Sequence, residues 1–317
     1  MESYQSKFFK LVLRLSRRKQ FWQKTGEELE RGIQTRRLLE FEPPGVVVQE
    51  LDVEKHEQDG HFYYILQPKE QTSDLHILYL HGGAYVNRIT SQHWHFLARI
   101  VEALDCKITV PLYPLAPEHT FDETYEFVLP IYNEQKPQVI MGDSAGGGLA
   151  LSLCQYLKEQ QLPQPEKVIA ISPWLDMTME NPGIQKVDRF DPFLALPGVI
   201  EAGEMYAGDT DRTDYRLSPM FGDLHVDAEM TVLMGRTTFS CRMRESSFKK
   251  QSLKVWIFTT LRRRNGAHLS DFQLPRGTKG DRTDYRYIKR STESPFLTSV
   301  NGLIFNYSLR TWMASTA

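Results

Sequence analysis

Only three cysteines occur in the 317 residues. Cys106, Cys154 and Cys241 are too few and too widely spaced for a disulfide framework or a zinc site. No apolar run is long enough to span a bilayer. Residues 1–22 set Lys7, Lys10, Arg14, Arg17, Arg18 and Lys19 among their apolar positions, so an uninterrupted signal-peptide core is missing. These absences predict a soluble, cytoplasmic chain without a membrane span. Low-complexity tracts are lacking as well. The hexapeptide DRTDYR recurs once, at residues 211–216 and 281–286, without the fixed period of a repeat architecture. Net charge is almost absent, formally −2, but that total hides a split. Residues 1–235 carry 22 basic and 35 acidic side chains, whereas residues 236–317 carry 16 basic and 5 acidic ones. Such a reversal admits two readings, a basic nucleic-acid tail or a C-terminus of different origin.

What is present suffices for a folded body. At 41% apolar and 25% charged residues, the chain can bury a large core, which excludes wholesale disorder. Residues 4–42 read as helical, with Phe8, Leu11, Leu15, Leu29, Ile33 and Leu38 among the apolar positions recurring about every three to four residues. Pro43-Pro44-Gly45 ends that region. Residues 46–53 and 61–67 read as an antiparallel pair about the turn Gln58-Asp59-Gly60. Short apolar runs then follow at residues 75–80, 107–112, 138–141, 167–172 and 229–234, with helical stretches between them at 91–104, 121–132 and 145–160. Buried strands alternating with helices predict an α/β fold with a mostly parallel sheet. Ligand sites in such sheets lie at the C-terminal strand ends.

Three strand ends carry informative residues. Gly142-Asp143-Ser144-Ala145-Gly146 fits G-x-S-x-G between a strand and a helix, the setting in which a nucleophilic serine sits on a sharp turn with small neighbours. The helix N-terminus presents free N–H groups to a developing negative charge. A chymotrypsin-like reading of GDSAGG fails, because those enzymes are all-β and rich in disulfides. His81-Gly82-Gly83-Ala84-Tyr85 follows the strand at 75–80, and its glycines let backbone N–H donors approach an oxyanion. His81 itself reads as an ordering residue of this loop rather than a general base. Tyr113-Pro114-Leu115-Ala116-Pro117-Glu118-His119 forms a rigid turn in which Glu118 and His119 read as braces. His93 and His95 stand two apart on a helix and do not share a face, and Cys154 reads as core.

HGGAY, YPLAPEHTF, GDSAGGGLA, SPWLD at residues 172–176 and DPFLA at residues 191–195 occur in one order. Together they resemble the hormone-sensitive-lipase-like family of α/β-hydrolases over about residues 40–235. The resemblance implies an α/β-hydrolase fold and a carboxylesterase or lipase acting on a small ester without a cofactor or metal. It makes Ser144 the nucleophile and assigns the oxyanion hole to Gly82, Gly83 and Ala145. One departure is Ala84, where the family carries a third glycine; its N–H remains available. A helical cap is implied from residues 1–45 and about 180–215, around a hydrolase core at 46–235.

The resemblance ends near residue 236. The family's D-x-L segment and its catalytic Asp are not evident after the strand at 229–234. His268 stands as a candidate base without its usual context, and no convincing closing helix follows. The basic segment 236–317 is expected to be irregular, with the last sheet strand lost. A frameshift accounts for both the charge reversal and the lost motifs. Read two bases later, residues 237–247 can encode D-I-L-L-P-D-A-R-E-F. Read one base later, residues 261–270 can encode Y-E-E-G-M-E-H-I-F-P. The two offsets differ, so a second insertion or deletion near residues 258–261 is also required. The expectation is an esterase by descent, impaired as written. The alternatives are a hydrolase-fold binding protein and a nucleic-acid-binding tail, the latter without any recognised motif.

Overall fold

The computed structural model describes residues 18–235 and the strand at 254–258. Two helices come first, α1 (Arg18–Trp22) and α2 (Glu27–Arg37). They lie within the region read as helical, separated where the chain turns at Gly26, whose φ is 55°; residues 4–17 of that region lie outside the described residues. A third short helix, α3 (Gly45–Glu50), starts directly after Pro44. This corrects the expectation of a strand from residue 46. The strand β1 (Asp52–Gln58) begins only where its partner β2 (His61–Gln67) allows, in register from Asp52↔Gln67 to Gln58↔His61. Pro68 follows β2 and has no N–H with which to extend the ladder. The three-valine run instead buries only Val47, leaving Val46 and Val48 exposed. Asp59 and Gly60 both take positive φ, 50° and 77°, as a two-residue hairpin turn requires.

Six more strands complete the sheet: β3 (His76–Leu80), β4 (Lys107–Pro111), β5 (Val139–Asp143), β6 (Lys167–Ile171), β7 (Glu229–Gly235) and β8 (Lys254–Phe258). Their order is β1-β2-β4-β3-β5-β6-β7-β8. Only the β1–β2 and β2–β4 pairs are antiparallel, and every other pair is parallel. The expectation that the chain lost its last strand is therefore corrected, since residues 254–258 pair with residues 231–235 of β7. The signal was weak because a five-residue apolar run has no periodicity of its own.

The helices α4 (Ser91–Leu104), α5 (Phe121–Gln135) and α6 (Ser144–Glu159) connect the central strands. Thr90 and Thr120 cap α4 and α5, with His93 and Glu123 reaching back to their backbone N–H groups. Alternate strand residues enter two cores, as the two-residue period dictates. Leu78, Leu80, Ile140 and Val168 pack with side chains of α5 and α6. Ile77, Tyr79, Met141 and Ile169 pack with Val47 of α3 and Trp94, Leu97 and Ile100 of α4. Between β6 and β7 lie α7 (Pro182–Asp188) and α8 (Leu196–Ala207). The first helix packs on the last of these: Gly198 meets the Trp22 backbone so closely that a Cβ there would clash. Lys19 donates to the carbonyls of Asp188 and Asp191, and Gly26 N–H donates to Glu201 at 2.6 Å.

Candidate active site

β3 and β5 are parallel neighbours, with Leu80 opposite Gly142. The two loops singled out in the sequence therefore leave adjacent strands at the same end of the sheet. Ser144 opens α6 with φ at 50°, a left-handed conformation costly for a residue with a side chain. The surrounding turn tolerates no Cβ at Gly142 or Gly146, whose added carbons would strike the Gly146 and Leu80 carbonyls. The backbone is thereby folded tightly under Ser144, whose side chain stays partly accessible while its neighbours are buried.

The facing loop is held in an unusual backbone. Gly83, Ala84 and Tyr85 all have positive φ, 136°, 53° and 60°. No described residue accepts the N–H of Gly83, Ala84 or Ala145. Gly82 differs: its N–H donates to Asp143 Oδ1 at 2.8 Å. That donor therefore already has an acceptor in this structure. The donors left open are those of Gly83, Ala84 and Ala145.

Asp143 organises the corner and was not singled out from the sequence. It is 1% exposed. Its Oδ1 also accepts from Tyr79 Oη at 2.6 Å, and its Oδ2 faces His93 Nε2 at 3.5 Å. Burial alone would raise the carboxyl pKa, but His93, Tyr79 and the Gly82 N–H together hold it below its ordinary value. The available signal was an acidic residue closing the otherwise apolar strand VIMGD.

His81 is buried and its Nδ1 bonds the Gly82 carbonyl at 2.7 Å. Its ring stacks on Tyr113 at 4.4 Å, and Tyr113 Oη donates to the His81 carbonyl. Burial lowers its pKa to about 4, so at neutral pH it is an uncharged strut of the loop. Tyr85 Oη donates to the Ala145 carbonyl at 2.8 Å and thus ties the loop to α6. The Tyr85 ring stacks flat on Tyr206 of α8, centroids 3.8 Å apart. Glu118 pairs with Arg37 and His119 with Glu123 at 2.7 Å, so both brace their segment. Cys154 is fully buried, and burial pushes its thiol pKa well up. An open cleft of about 420 Å³ lies beside His81 and Tyr113, and its lining does not include Ser144.

The Asp expected after β7 and His268 both fall outside the described residues. Among the described residues, no group of three or more His, Cys, Asp or Glu side chains could hold a metal ion. No described helix is long and apolar enough to cross a membrane.

A doubly covered, mostly parallel sheet with a strained serine at a strand–helix turn defines the class of the α/β-hydrolases. Residues 77–247 match the alpha/beta hydrolase fold family, and the chain belongs to it, among the hormone-sensitive-lipase-like members. It is 30% identical over 156 residues to an esterase of Acinetobacter venetianus, covering 47% of this chain and 52% of that protein. It is 30% identical over 178 residues to steryl acetyl hydrolase 1 of Saccharomyces cerevisiae, covering 50% and 41%. The chain spans about half the length of the curated relatives it matches. A solved esterase/lipase from an uncultured bacterium superposes with a TM-score of 0.66 at 26% identity, covering 80% of this chain and 88% of that one.

Proposed function

We propose that the chain is a carboxylic-ester hydrolase of the serine type, acting on small esters with Ser144 as the nucleophile. The observation that carries this reading is the strained Ser144 turn together with the N–H groups of Gly83, Ala84 and Ala145, which find no acceptor among the described residues. In the reaction, Ser144 Oγ attacks the ester carbonyl carbon. The carbonyl oxygen becomes an oxyanion held by the N–H groups of Gly83, Ala84 and Ala145, aided by the positive end of α6. The alcohol leaves and the acyl group stays on Ser144. Water then releases the acid through the same hole. Each properly placed donor is worth about 10²–10³ in rate. Acetyl hydrolase and steryl acetyl hydrolase among the relatives' names favour short acyl groups. The helices α1, α2, α7 and α8 serve as the cap over this site.

The proton acceptor for Ser144 belongs to the segment after Gly235. There we propose the reading-frame change set out above, with His268 a poor substitute for the displaced base. A chain with an oxyanion hole but no base retains only weak catalysis. The test compares p-nitrophenyl butyrate hydrolysis by the chain, by Ser144→Ala and by a frame-restored version. Turnover confined to the restored version, and abolished there by Ser144→Ala, is the expected result. Equal turnover by the restored version with and without Ser144 sinks the nucleophile assignment. The frame proposal falls if the nucleotide sequence lacks the shifted strings.

A further inference from the structure

His93 sits at the third position of α4, where a capping-box residue ordinarily reaches back to the helix start and otherwise faces water. Here it does the first half of that job. Its Nδ1 accepts the Thr90 N–H at 3.1 Å. The ring is nevertheless buried, 8% exposed, and its other nitrogen points inward. Because Nδ1 is an acceptor, Nε2 carries the proton. That N–H faces Asp143 Oδ2 at 3.5 Å. Both atoms are buried and neither has a hydrogen-bond partner at this separation. Two buried polar groups facing each other a few tenths of an ångström beyond bonding distance make an unusual arrangement, since such groups are normally satisfied.

We infer that His93 is a positioning residue for the oxyanion loop. It acts through Asp143 and touches neither substrate nor Ser144. The inference rests on the ester-hydrolase reading only for its consequence in turnover, not for the contact itself. The chain of causes is short. Asp143 Oδ1 holds the Gly82 N–H and the Tyr79 hydroxyl. A carboxylate turned toward His93 through Oδ2 keeps Oδ1 aimed at Gly82. Gly82 in turn fixes the plane from which Gly83 and Ala84 present their N–H groups. Contacts of this kind are often long in an unliganded site and tighten when charge develops. The 3.5 Å separation is the slack that such tightening would take up.

The choice of histidine follows from the two tasks. The side chain must accept a hydrogen bond at the helix cap and donate one to a buried carboxylate. Neutral imidazole does both, and a glutamine amide does both. Glutamate caps equally well but has no donor and sets a second negative charge against Asp143. Alanine does neither. The groups facing the His93 ring are Asp143 and, at a centroid distance of 6.4 Å, the buried ring of His81.

The deciding measurement is amide hydrogen exchange on the full chain, resolved to residues 81–87 and 91–95, for wild type, His93→Gln, His93→Glu and His93→Ala. Exchange at Gly82 is expected to rise about tenfold or more in Glu and Ala and to return to the wild-type rate in Gln. The first turn of α4 should stay protected in Glu, which separates loop positioning from loss of the cap. Unchanged exchange at Gly82 in His93→Ala, or a rise confined to α4, overturns the inference. If Ala does not fold, the Gln–Glu contrast decides alone. Hydrolysis of p-nitrophenyl butyrate by the frame-restored chain supplies the second readout. There kcat should fall about tenfold to a hundredfold in His93→Glu with KM little changed, and Gln should recover it. A fall in both, or in KM alone, counts against positioning. If the frame-restored chain and its Ser144→Ala variant hydrolyse alike, the esterase reading fails while the exchange result still judges His93.

Discussion

At the scale of single residues the site is held by backbone that its side chains resist. Ser144 adopts φ of 50°, which costs roughly 1–3 kcal/mol. Ser144→Gly should therefore raise stability by about 1 kcal/mol in urea unfolding, even as it removes the hydroxyl, while Ser144→Ala should leave stability nearly unchanged. A destabilised glycine variant would mean that the turn is unstrained. Asp143 makes a different prediction. Its carboxyl pKa is depressed in the fold, against an ordinary value of 3.8. The stabilisation it contributes is therefore complete above that ordinary range and is lost as pH falls through the lower folded value. Asp143→Asn should cost about 2–4 kcal/mol at neutral pH, because it disturbs a buried, bonded charge. It should also flatten the acid limb of a stability–pH curve. An unaltered acid limb would place the titrating group elsewhere.

Among the elements, the α1–α8 contact is the one most open to a direct measurement. Trp22 is buried, its backbone meeting Gly198 of α8 and its side chain part of the core, and truncating a buried tryptophan costs about 3–5 kcal/mol. Trp22→Ala should release α1, seen as faster proteolysis between residues 23 and 26 than in the wild type. Cleavage at an unchanged rate would show that α1 is not held there. The elements also show what was legible beforehand. The central strands were readable because a buried parallel strand is a short, continuous apolar run. The serine turn was readable because its chemistry is written in consecutive residues. The valine run at 46–48 misled because an apolar run says that burial is available, not which ladder will use it; here residues 45–50 form a helix that buries Val47 alone, and the partner strand ends at Gln67. The bond made by Gly82 was not legible for a related reason. Its acceptor, Asp143, is sixty-one residues away, and no local pattern reveals a donor already engaged at that range.

For the whole molecule, the acidic body and the basic segment differ in composition yet share one sheet. Residues 1–235 hold 35 acidic and 22 basic side chains, but the sheet continues through β8 inside the basic segment. Truncation after Gly235 should therefore leave β7 as an open edge, and open edges pair with other chains. Truncation after Phe258 should keep that edge covered. Light scattering at matched concentration is expected to show self-association in the first and less in the second. Equal scattering would mean that β8 does not protect β7 in solution.

The Tyr85–Tyr206 stack has one more consequence. Tyr85 is bonded to the Ala145 carbonyl at the start of α6, and its ring face lies flat on α8. Any movement of α8 away from this loop must first peel the two rings apart. The loop after β3 and the helix α8 are thus coupled through one pair of stacked rings, so a displacement of either is felt by the other.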